Sequence, residues 1–402
     1  MSTSGLSARK LGRAHAVLTR AVDAGRIPGA AALVVRREEE AWVGVVGDAD
    51  RAGTTLQRDA IFRISSLTKP ITAVATLILV EEGLFRLDEP VDEFLPELAD
   101  RRVLTSLAAD LEDTVPAERP ITVHDLLTFQ MGLGLVLAYP GSYPIQNALD
   151  ELQLGQGPPN PQIPPDPDEW MTRLGSLPLI HQPGADWMYN TGSDVLGVLI
   201  ARATARPYGD VLRERVFEPL GMTDTAFHVP PDQLGRLTAL YWSNPFADGG
   251  EVVYDAPDGQ WSQPPAFPSG AGGLVSTIDD YAAFARMLMR NGRADDGTRL
   301  LSRPSIELMT TDRLPVGRTY SPLTNGFFDV NGYGFGVAMV TRRTGVLPVG
   351  TYGWDGGLGA AWRNDPREQM TTLLMAPSAW DSPDPPAYVQ DFWTAAYSAI
   401  DD

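Results

Sequence analysis

The sequence ISSLTKP at residues 64–70, followed by ITAVATLILV at residues 71–80, decides how the rest of the chain is interpreted. A serine and a lysine three residues apart, Ser66 and Lys69, open an apolar run of helical length. Residues three apart share one helix face, so these side chains can touch if a helix begins at Ser66. Pro70 is compatible with that helix only in its first turn, where a missing N–H costs little. The stretch therefore predicts a helix that begins with a serine beside a lysine.

This pair has the chemistry of a nucleophile and its base. A serine hydroxyl is a poor nucleophile until a base takes its proton. A lysine desolvated against an apolar helix can lose its own proton and become that base. The helix N-terminus adds positive potential where negative charge would develop. We therefore predict that Lys69 activates Ser66; the alternative is a helix cap beside a surface lysine.

Lysine is otherwise almost absent. Only two of the 32 Lys and Arg residues are lysines, Lys10 and Lys69. The remainder are arginines, which do not deprotonate in proteins and cannot serve as bases. A second S-x-x-K tetrad, Ser7 to Lys10, lies near the N-terminus in a polar setting with no apolar run behind it. We interpret Lys10 as a solvated helix residue, so the chemistry is expected at Lys69.

The composition indicates a soluble globular protein with a large core. The chain has 402 residues, of which 43% are hydrophobic and 21% charged, and no cysteine. A net charge of -19 argues against nucleic acid or anionic membranes as partners. No signal peptide and no membrane span are predicted, so we expect a cytoplasmic protein. The four histidines show no metal-ligand spacing, and no dinucleotide or Walker pattern occurs, so neither a metal nor a cofactor is expected.

Strand patterns lie near both ends of the chain, and helical patterns fill the middle. Residues 30–35 and 41–46 predict a hairpin, and residues 333–340, 357–362 and 369–375 predict three later strands. Helices are predicted at 7–23, from Ser66 to Gly83, and at 193–203, 277–290 and 387–399. We therefore predict an α/β (α+β) domain from residues 1–70 and 231–402, with a mostly helical domain, 71–230, inserted. The proline-rich stretch 155–168 is expected to be a loop, either a solvated insertion or a wall of the substrate cleft.

Two further stretches can assist Ser66. Residues 183–192 place Tyr189 in a loop before a helix, where a charged lysine beside it would lower its pKa and let it relay protons. Residues 353–359, GWDGGLG, open a strand whose glycines expose backbone to a substrate, and an N–H there can pair with that of Ser66 as an oxyanion hole. Taken singly, the tyrosine stretch is better explained as an ordinary loop, and the glycine stretch has a glycine-rich turn as its alternative. The nucleophile elbow G-x-S-x-G does not occur.

The order of these motifs resembles the serine β-lactamase and penicillin-binding protein superfamily. Within it the chain is most similar to the class C β-lactamase-like esterases, esterase family VIII. The resemblance covers most of the chain and is carried by residues 64–73, 126–128, 189–192 with 196–197, 272–277 and 354–357. It implies a β-lactamase-like fold, with an antiparallel sheet flanked by helices and an inserted helical domain.

The resemblance also implies site roles. Ser66 would be the acylated nucleophile, Lys69 its activating partner and Tyr189 the general base and acid. The N–H groups of Ser66 and Gly357 would form the oxyanion hole.

The chain departs from the family pattern at two places. The family's asparagine two residues after the tyrosine is here Thr191, with Asn190 before it. The family's K-T-G or H-x-G triplet is here Trp354-Asp355-Gly356, and tryptophan supplies no cation for a β-lactam carboxylate. Asp355 would repel such an anion if it faced the cleft.

The leading prediction is a serine carboxylesterase that cleaves small-molecule esters through an acyl-enzyme. Three alternatives stay open: a β-lactamase or D,D-peptidase of the same fold, an acyltransferase using the same acyl-enzyme, and a non-catalytic ligand-binding relative. Trp354 and the missing signal peptide disfavour the first. The intact pair of Ser66 and Lys69 disfavours the last.

The two S-x-x-K tetrads supply a matched pair of variants. We expect Ser66→Ala to abolish both ester hydrolysis and covalent labelling by a fluorophosphonate, because the nucleophilic oxygen is lost. Ser7→Ala should retain both, since no apolar run follows Ser7. Intact-mass spectrometry after labelling measures the adduct. Near wild-type turnover by Ser66→Ala would contradict the assignment.

Overall fold

The chain folds around one large sheet with helices on both faces. The computed structural model describes residues 4–155, 157–243, 250–315 and 326–402. The helices in these ranges are α1 Ala8–Asp23, α2 Thr68–Glu81, α3 Val123–Leu127, α4 Pro144–Glu151, α5 Pro167–Ser176, α6 Thr191–Thr204, α7 Tyr208–Leu212, α8 Glu218–Leu220, α9 Ile278–Met289, α10 Arg303–Met309 and α11 Ala387–Ser398. The strands are β1 Gly29–Arg36, β2 Glu39–Gly47, β3 Phe62–Arg63, β4 Arg102–Leu104, β5 Thr114–Pro116, β6 Leu240–Ser243, β7 Glu251–Asp255, β8 Val275–Ser276, β9 Asn331–Tyr333, β10 Ala338–Val340, β11 Tyr352–Gly356, β12 Ala360–Asp365 and β13 Met370–Met375.

The seven-stranded sheet is antiparallel and joins the two ends of the chain. Its order is β2-β1-β13-β12-β11-β10-β9. The N-terminal hairpin therefore pairs with the last strand, with Leu33 opposite Leu373. This confirms the predicted α/β architecture with an antiparallel sheet. Three two-stranded pairs, β3-β8, β4-β5 and β6-β7, lie outside the main sheet.

The sheet is covered on both faces because its central strands are apolar on both faces. Successive side chains of a strand point to opposite sides. In β1, Ala31, Leu33 and Val35 join the core on the side of α2 and α9. The alternate residues, Ala30, Ala32 and Val34, join the core formed with α1 and α11. The result is a layer of two terminal helices, the sheet, and a larger layer of internal helices.

Helix α2 is the centre of that larger layer. Every residue from Thr68 to Leu79 is buried, as expected for a helix that is apolar all round. It packs against α6 and α7. The predicted boundary between residues 70 and 71 falls within α2, so α2 belongs to both parts of the chain. The division into 1–70 with 231–402 and 71–230 stays a prediction.

Four local predictions differ from the structure. Ser66 lies in a 3₁₀ turn, Ser65–Leu67, and the α-helix begins only at Thr68. Residues 333–340 form two strands rather than one, since the Gly334 N–H bonds back to the Val337 carbonyl and closes a tight turn.

The other two differences lie beside β12. Residues 357–359 form the turn between β11 and β12, and the second strand starts at Ala360. The turn between the last two strands, which the Asn-Asp-Pro sequence predicts at residues 364–366, begins only after Asp365, because Asp365 is still part of β12.

The remaining predicted helices and the hairpin agree with the structure to within two residues at either end. In the second S-x-x-K tetrad, Ser7 caps helix α1, because Ser7 Oγ accepts the Lys10 N–H. Lys10 Nζ forms an ion pair with Asp401 at 2.6 Å. Among the described residues, none of the helices combines the length and apolarity needed to cross a bilayer.

The end of β11 approaches the Ser66 turn closely, and two neighbouring glycines test that contact. A Cβ on Gly356 would lie 2.3 Å from the Ile64 carbonyl oxygen, whereas one on Gly357 would meet no atom within 4 Å. We expect Gly356→Ala to lower the free energy of unfolding by about 1–3 kcal/mol, the usual cost of overpacking. Gly357→Ala should change it little. Urea denaturation compares the two, and equal stabilities would contradict the close contact.

Candidate active site

Ser66 and Lys69 meet at the start of α2. The 3₁₀ turn places Ser66 one turn before Lys69, and Lys69 Nζ lies 2.9 Å from Ser66 Oγ. Ser66 is partly exposed, whereas Lys69 is 1% exposed. Pro70 lies in the first turn of α2, as predicted. The local fold thus presents a reachable hydroxyl with an amine buried behind it.

Burial changes the acidity of Lys69. Loss of solvation lowers its pKa from 10.5 to about 7, and the carboxylate of Asp194 opposes part of that shift. The amine also donates to the Ala271 carbonyl at 2.7 Å. At neutral pH a large fraction of Lys69 is therefore neutral and able to accept a proton.

Tyr189 reaches Ser66 from the loop before α6. Its hydroxyl donates to Ser66 Oγ at 2.8 Å, and Lys69 Nζ lies 4.4 Å from its ring centroid. The loop is held by residues 129–135, since the Met188 N–H bonds to the Phe129 carbonyl and the Leu135 N–H to the Tyr189 carbonyl. The side chains of Lys69 and Tyr189, from two separate chain segments, thus converge on the Ser66 oxygen.

The predicted acidity of Tyr189 is wrong in direction. We expected the neighbouring lysine to lower its pKa, but burial raises it to about 12. Hydrogen bonds to Ser66 and Trp354 only partly oppose that effect. Tyr189 is therefore protonated at rest, and Lys69 is the group poised to accept a proton near neutral pH.

Trp354 and Asp355 occupy opposite faces of β11. The Trp354 indole N–H donates to Tyr189 Oη at 3.0 Å. Asp355 forms a bidentate ion pair with Arg363, at 2.6 Å to each oxygen, and that guanidinium lies 4.5 Å from the Trp393 ring centroid on the α11 side. The condition under which Asp355 would repel a substrate anion is therefore not met, because strand alternation turns Asp355 away from Trp354 and Arg363 balances its charge.

The other predicted site residues lie around this centre. Gly356 packs against Ile64, and the exposed Gly357 follows it in the turn after β11. Asn190 has a positive φ of 84° at the start of α6, where Thr191 is the first residue. Among the described residues, no hydrogen bond links the side chain of Asn190 or Thr191 to Ser66, Lys69 or Tyr189. The proposed oxyanion hole of the Ser66 and Gly357 N–H groups stays a prediction.

Aromatic rings form a wall beside Tyr189. Its ring stacks on Trp187, with centroids 5.5 Å apart, and lies 5.7 Å from Trp354 and 5.5 Å from Phe129. The Tyr333 ring contacts Trp354 edge-to-face, with ring centroids 5.4 Å apart. This wall gives an apolar surface next to the reactive hydroxyl.

The proline-rich loop lies against the segment behind Ser66. A Cβ on Gly272 would lie 2.9 Å from Pro159 Cγ and 3.8 Å from the Ser65 carbonyl carbon. Tyr254 holds the loop in place by donating to the Pro159 carbonyl at 2.8 Å. Of the two interpretations of this loop, the cleft wall is the one that these contacts support.

Sequence reasoning missed Asp194 and the turn that it holds. Asp194 is 5% exposed in the first turn of α6. Its Oδ1 accepts from Ser269 Oγ at 2.6 Å and from the Ala271 N–H at 3.1 Å. The sequence feature that could have indicated Asp194 is a carboxylate in the otherwise apolar run GSDVLGVLI.

Within the described ranges, no group of three or more His, Cys, Asp or Glu side chains is arranged to hold a metal ion.

Comparison with known proteins gives consistent matches. The family model described as Beta-lactamase matches residues 14–386. Protein Rv1367c of Mycobacterium tuberculosis is 38% identical over 361 residues, covering 88% of this chain and 86% of that protein. Esterase EstB of Burkholderia gladioli is 31% identical over 390 residues, covering 92% and 91%. The solved structure of EstCE1, a hydrolase with promiscuous acyltransferase activity, superposes with a TM-score of 0.79 at 23% identity, covering 97% and 99%.

The scarcity of lysine makes the acidity of Lys69 directly measurable. Carbon-13 labelling of lysine gives two side-chain signals, and Lys10→Arg leaves only that of Lys69. We expect this signal to titrate with a midpoint near 7, well below the ordinary 10.5. Because the neutral amine is the competent form, kcat/KM for an ester should rise through the same pH. A midpoint near the ordinary value would contradict the assignment of Lys69 as a base.

Proposed function

Because the chain belongs to the beta-lactamase family, we propose that it is a serine carboxylesterase that cleaves small-molecule esters through an acyl-enzyme on Ser66. One observation carries the proposal: Lys69 Nζ and Tyr189 Oη both lie within 2.9 Å of Ser66 Oγ. The likeness to Esterase EstB supports an ester as the substrate.

Acylation begins with the neutral amine. Lys69 takes the proton of Ser66, and Ser66 Oγ forms a bond to the ester carbonyl carbon. The tetrahedral oxyanion is held by the Ser66 and Gly357 N–H groups, the type of stabilisation that often contributes most to such reactions. The close approach of Gly356 to Ile64 supports this placement of Gly357, since it brings the end of β11 to the Ser66 turn.

Collapse of this intermediate breaks the bond to the alcohol oxygen. Tyr189 donates its proton to the departing alkoxide, which is a stronger base than a phenolate. The Lys69 ammonium then returns a proton to Tyr189, and the acyl-enzyme remains. Deacylation repeats the steps with water: a proton of water passes to the Tyr189 and Lys69 pair, hydroxide attacks the acyl carbon, and Ser66 regains its proton as the acid leaves.

Trp354 distinguishes ester cleavage from β-lactam cleavage. A β-lactam carries a carboxylate beside its scissile amide, and Trp354 offers that carboxylate an indole whose N–H is already bonded to Tyr189. Arg363 is engaged by Asp355 on the other face of the sheet. A β-lactamase or D,D-peptidase is therefore the weaker proposal.

The acyltransferase alternative uses the same acyl-enzyme with an alcohol or amine in place of water. Product analysis with an added alcohol separates the two, because transfer yields a new ester and hydrolysis yields the free acid. A non-catalytic binder would form no covalent adduct at Ser66.

We expect kcat/KM for p-nitrophenyl butyrate to exceed that for a chromogenic cephalosporin by more than tenfold on one enzyme preparation. A desolvated group left without a partner costs about 1–3 kcal/mol, more when charged, which corresponds to at least several-fold and commonly over tenfold in binding. Ser66→Ala is the control for uncatalysed hydrolysis. A cephalosporin value equal to the ester value would overturn the esterase assignment in favour of a lactamase.

A further inference from the structure

A buried carboxylate lies behind the proposed catalytic lysine, and the reaction scheme above does not use it. Asp194 projects from the first turn of α6, which packs against α2. It is 5% exposed, and Lys69 is 1% exposed. Buried ionisable groups are costly unless they are paired or hydrogen-bonded, so this arrangement requires a physical reason.

Asp194 organises the turn that receives the lysine. Its Oδ1 accepts from Ser269 Oγ at 2.6 Å and from the Ala271 N–H at 3.1 Å. Ser269 Oγ in turn accepts the Ala271 and Gly272 N–H groups at 3.2 and 3.0 Å. The Ala271 carbonyl accepts Lys69 Nζ at 2.7 Å. One residue, Ala271, therefore bonds to the carboxylate through its N–H and to the amine through its carbonyl.

The two charges also act on each other through the interior. Burial lowers the pKa of Lys69, and the charge of Asp194 offsets part of that shift. Burial likewise raises the pKa of Asp194, and the charge of Lys69 offsets part of it. Two tyrosines face the pair. Burial raises the pKa of both Tyr189 and Tyr208, so both stay neutral; Tyr208 Oη lies 2.7 Å from Thr72 Oγ1 on α2. The charge of Asp355, which also reaches Tyr189, is paired with Arg363.

We propose that Asp194 is a positioning residue for Lys69: its carboxylate fixes the 269–272 turn, whose Ala271 carbonyl orients the amine, and its charge balances the ammonium that forms when Ser66 is deprotonated. This inference rests on the proposed role of Lys69 as base. Taking a proton creates a positive charge on a side chain that is 1% exposed, and a nearby negative charge offsets its lost solvation. The neighbouring carboxylate thus favours the charged state through which acylation passes.

The test replaces Asp194 by asparagine, which removes the negative charge and keeps the size and shape of the side chain. In Asp194→Asn, Oδ1 can still accept from Ser269 and Ala271. We expect the midpoint of the carbon-13 lysine signal of Lys69 to fall by ~1 pH unit, the low end of what a neighbouring opposite charge does. The acidic limb of the kcat/KM profile should move down by the same amount. The plateau kcat should fall by up to about tenfold, because the ammonium forms less readily. Asp194→Glu, which keeps the charge, should restore the midpoint in part.

Asp280 provides the matched control. It is also a buried carboxylate, with a pKa raised by burial to about 6, and it accepts from Thr225 Oγ1 and the Asp224 N–H, both at 2.8 Å. Asp280→Asn removes a comparable charge away from Lys69 and should leave the Lys69 midpoint unchanged. An Asp194→Asn protein with unchanged Lys69 midpoint and kcat would reduce Asp194 to a structural residue and overturn the proposal.

A second measurement applies if Asp194→Asn does not fold. Lys69→Met removes the amine and leaves Asp194 without its counter-charge. Infrared difference spectra against the wild type at neutral pH should then show a new protonated-carboxyl band, and its absence overturns the proposal. The lysine signal and this band do not depend on ester turnover. The wild-type protein could fail to cleave esters while Asp194→Asn still shifts the Lys69 midpoint and Lys69→Met still shows the carboxyl band. That result would refute the proposed function and keep the pairing of Asp194 with Lys69.

Discussion

The burial of one amine governs the architecture around Ser66. An ammonium removed from water costs several kcal/mol even after the surroundings relax, and Lys69 is 1% exposed. Its partners are the Ser66 hydroxyl, the Ala271 carbonyl and the face of the Tyr189 ring. They come from three stretches that are far apart in sequence, so the chain must fold completely before the amine is satisfied.

Helix α2 makes this burial possible. A helix that is apolar all round has to lie inside the protein, and its first turn then brings Lys69 into the interior with it. The 3₁₀ turn before it keeps Ser66 at the surface of the cleft, although Lys69 is only three residues away. The close approach of Gly356 to Ile64 joins the sheet to the same turn. The sheet, the central helix and the Tyr189 loop thus meet at one place because each contributes a contact to it.

The sequence was sufficient for the fold class, the family and the position of the pair formed by Ser66 and Lys69. The α/β pattern rests on local periodicity, and the pair rests on the S-x-x-K tetrad and the scarcity of lysine. The family rests on the resemblance of the motif order to the serine β-lactamase superfamily. The pKa of Tyr189 was predicted wrongly because burial, which no local pattern shows, raises it more than the hydrogen bonds with Ser66 and Trp354 lower it. The face of β11 on which Asp355 lies was left open, because the face of a strand depends on its register in the sheet. Asp194 was missed because its partners Ser269 and Ala271 are more than 70 residues away.

The hydrogen bonds at the site have a direction, and that direction explains the choice of lysine. The Trp354 N–H can only donate, so Tyr189 Oη accepts from it and directs its own proton at Ser66. Ser66 Oγ accepts that hydrogen bond and lies 2.9 Å from Lys69 Nζ, which donates to it while charged and can accept the Ser66 proton once neutral. With Lys69 neutral, the donors run from Trp354 through Tyr189 to Ser66, and the Ser66 hydroxyl is left to donate to the amine. An arginine there would add another permanent donor, whereas a lysine made neutral by burial can accept the Ser66 proton, as the proposed base must.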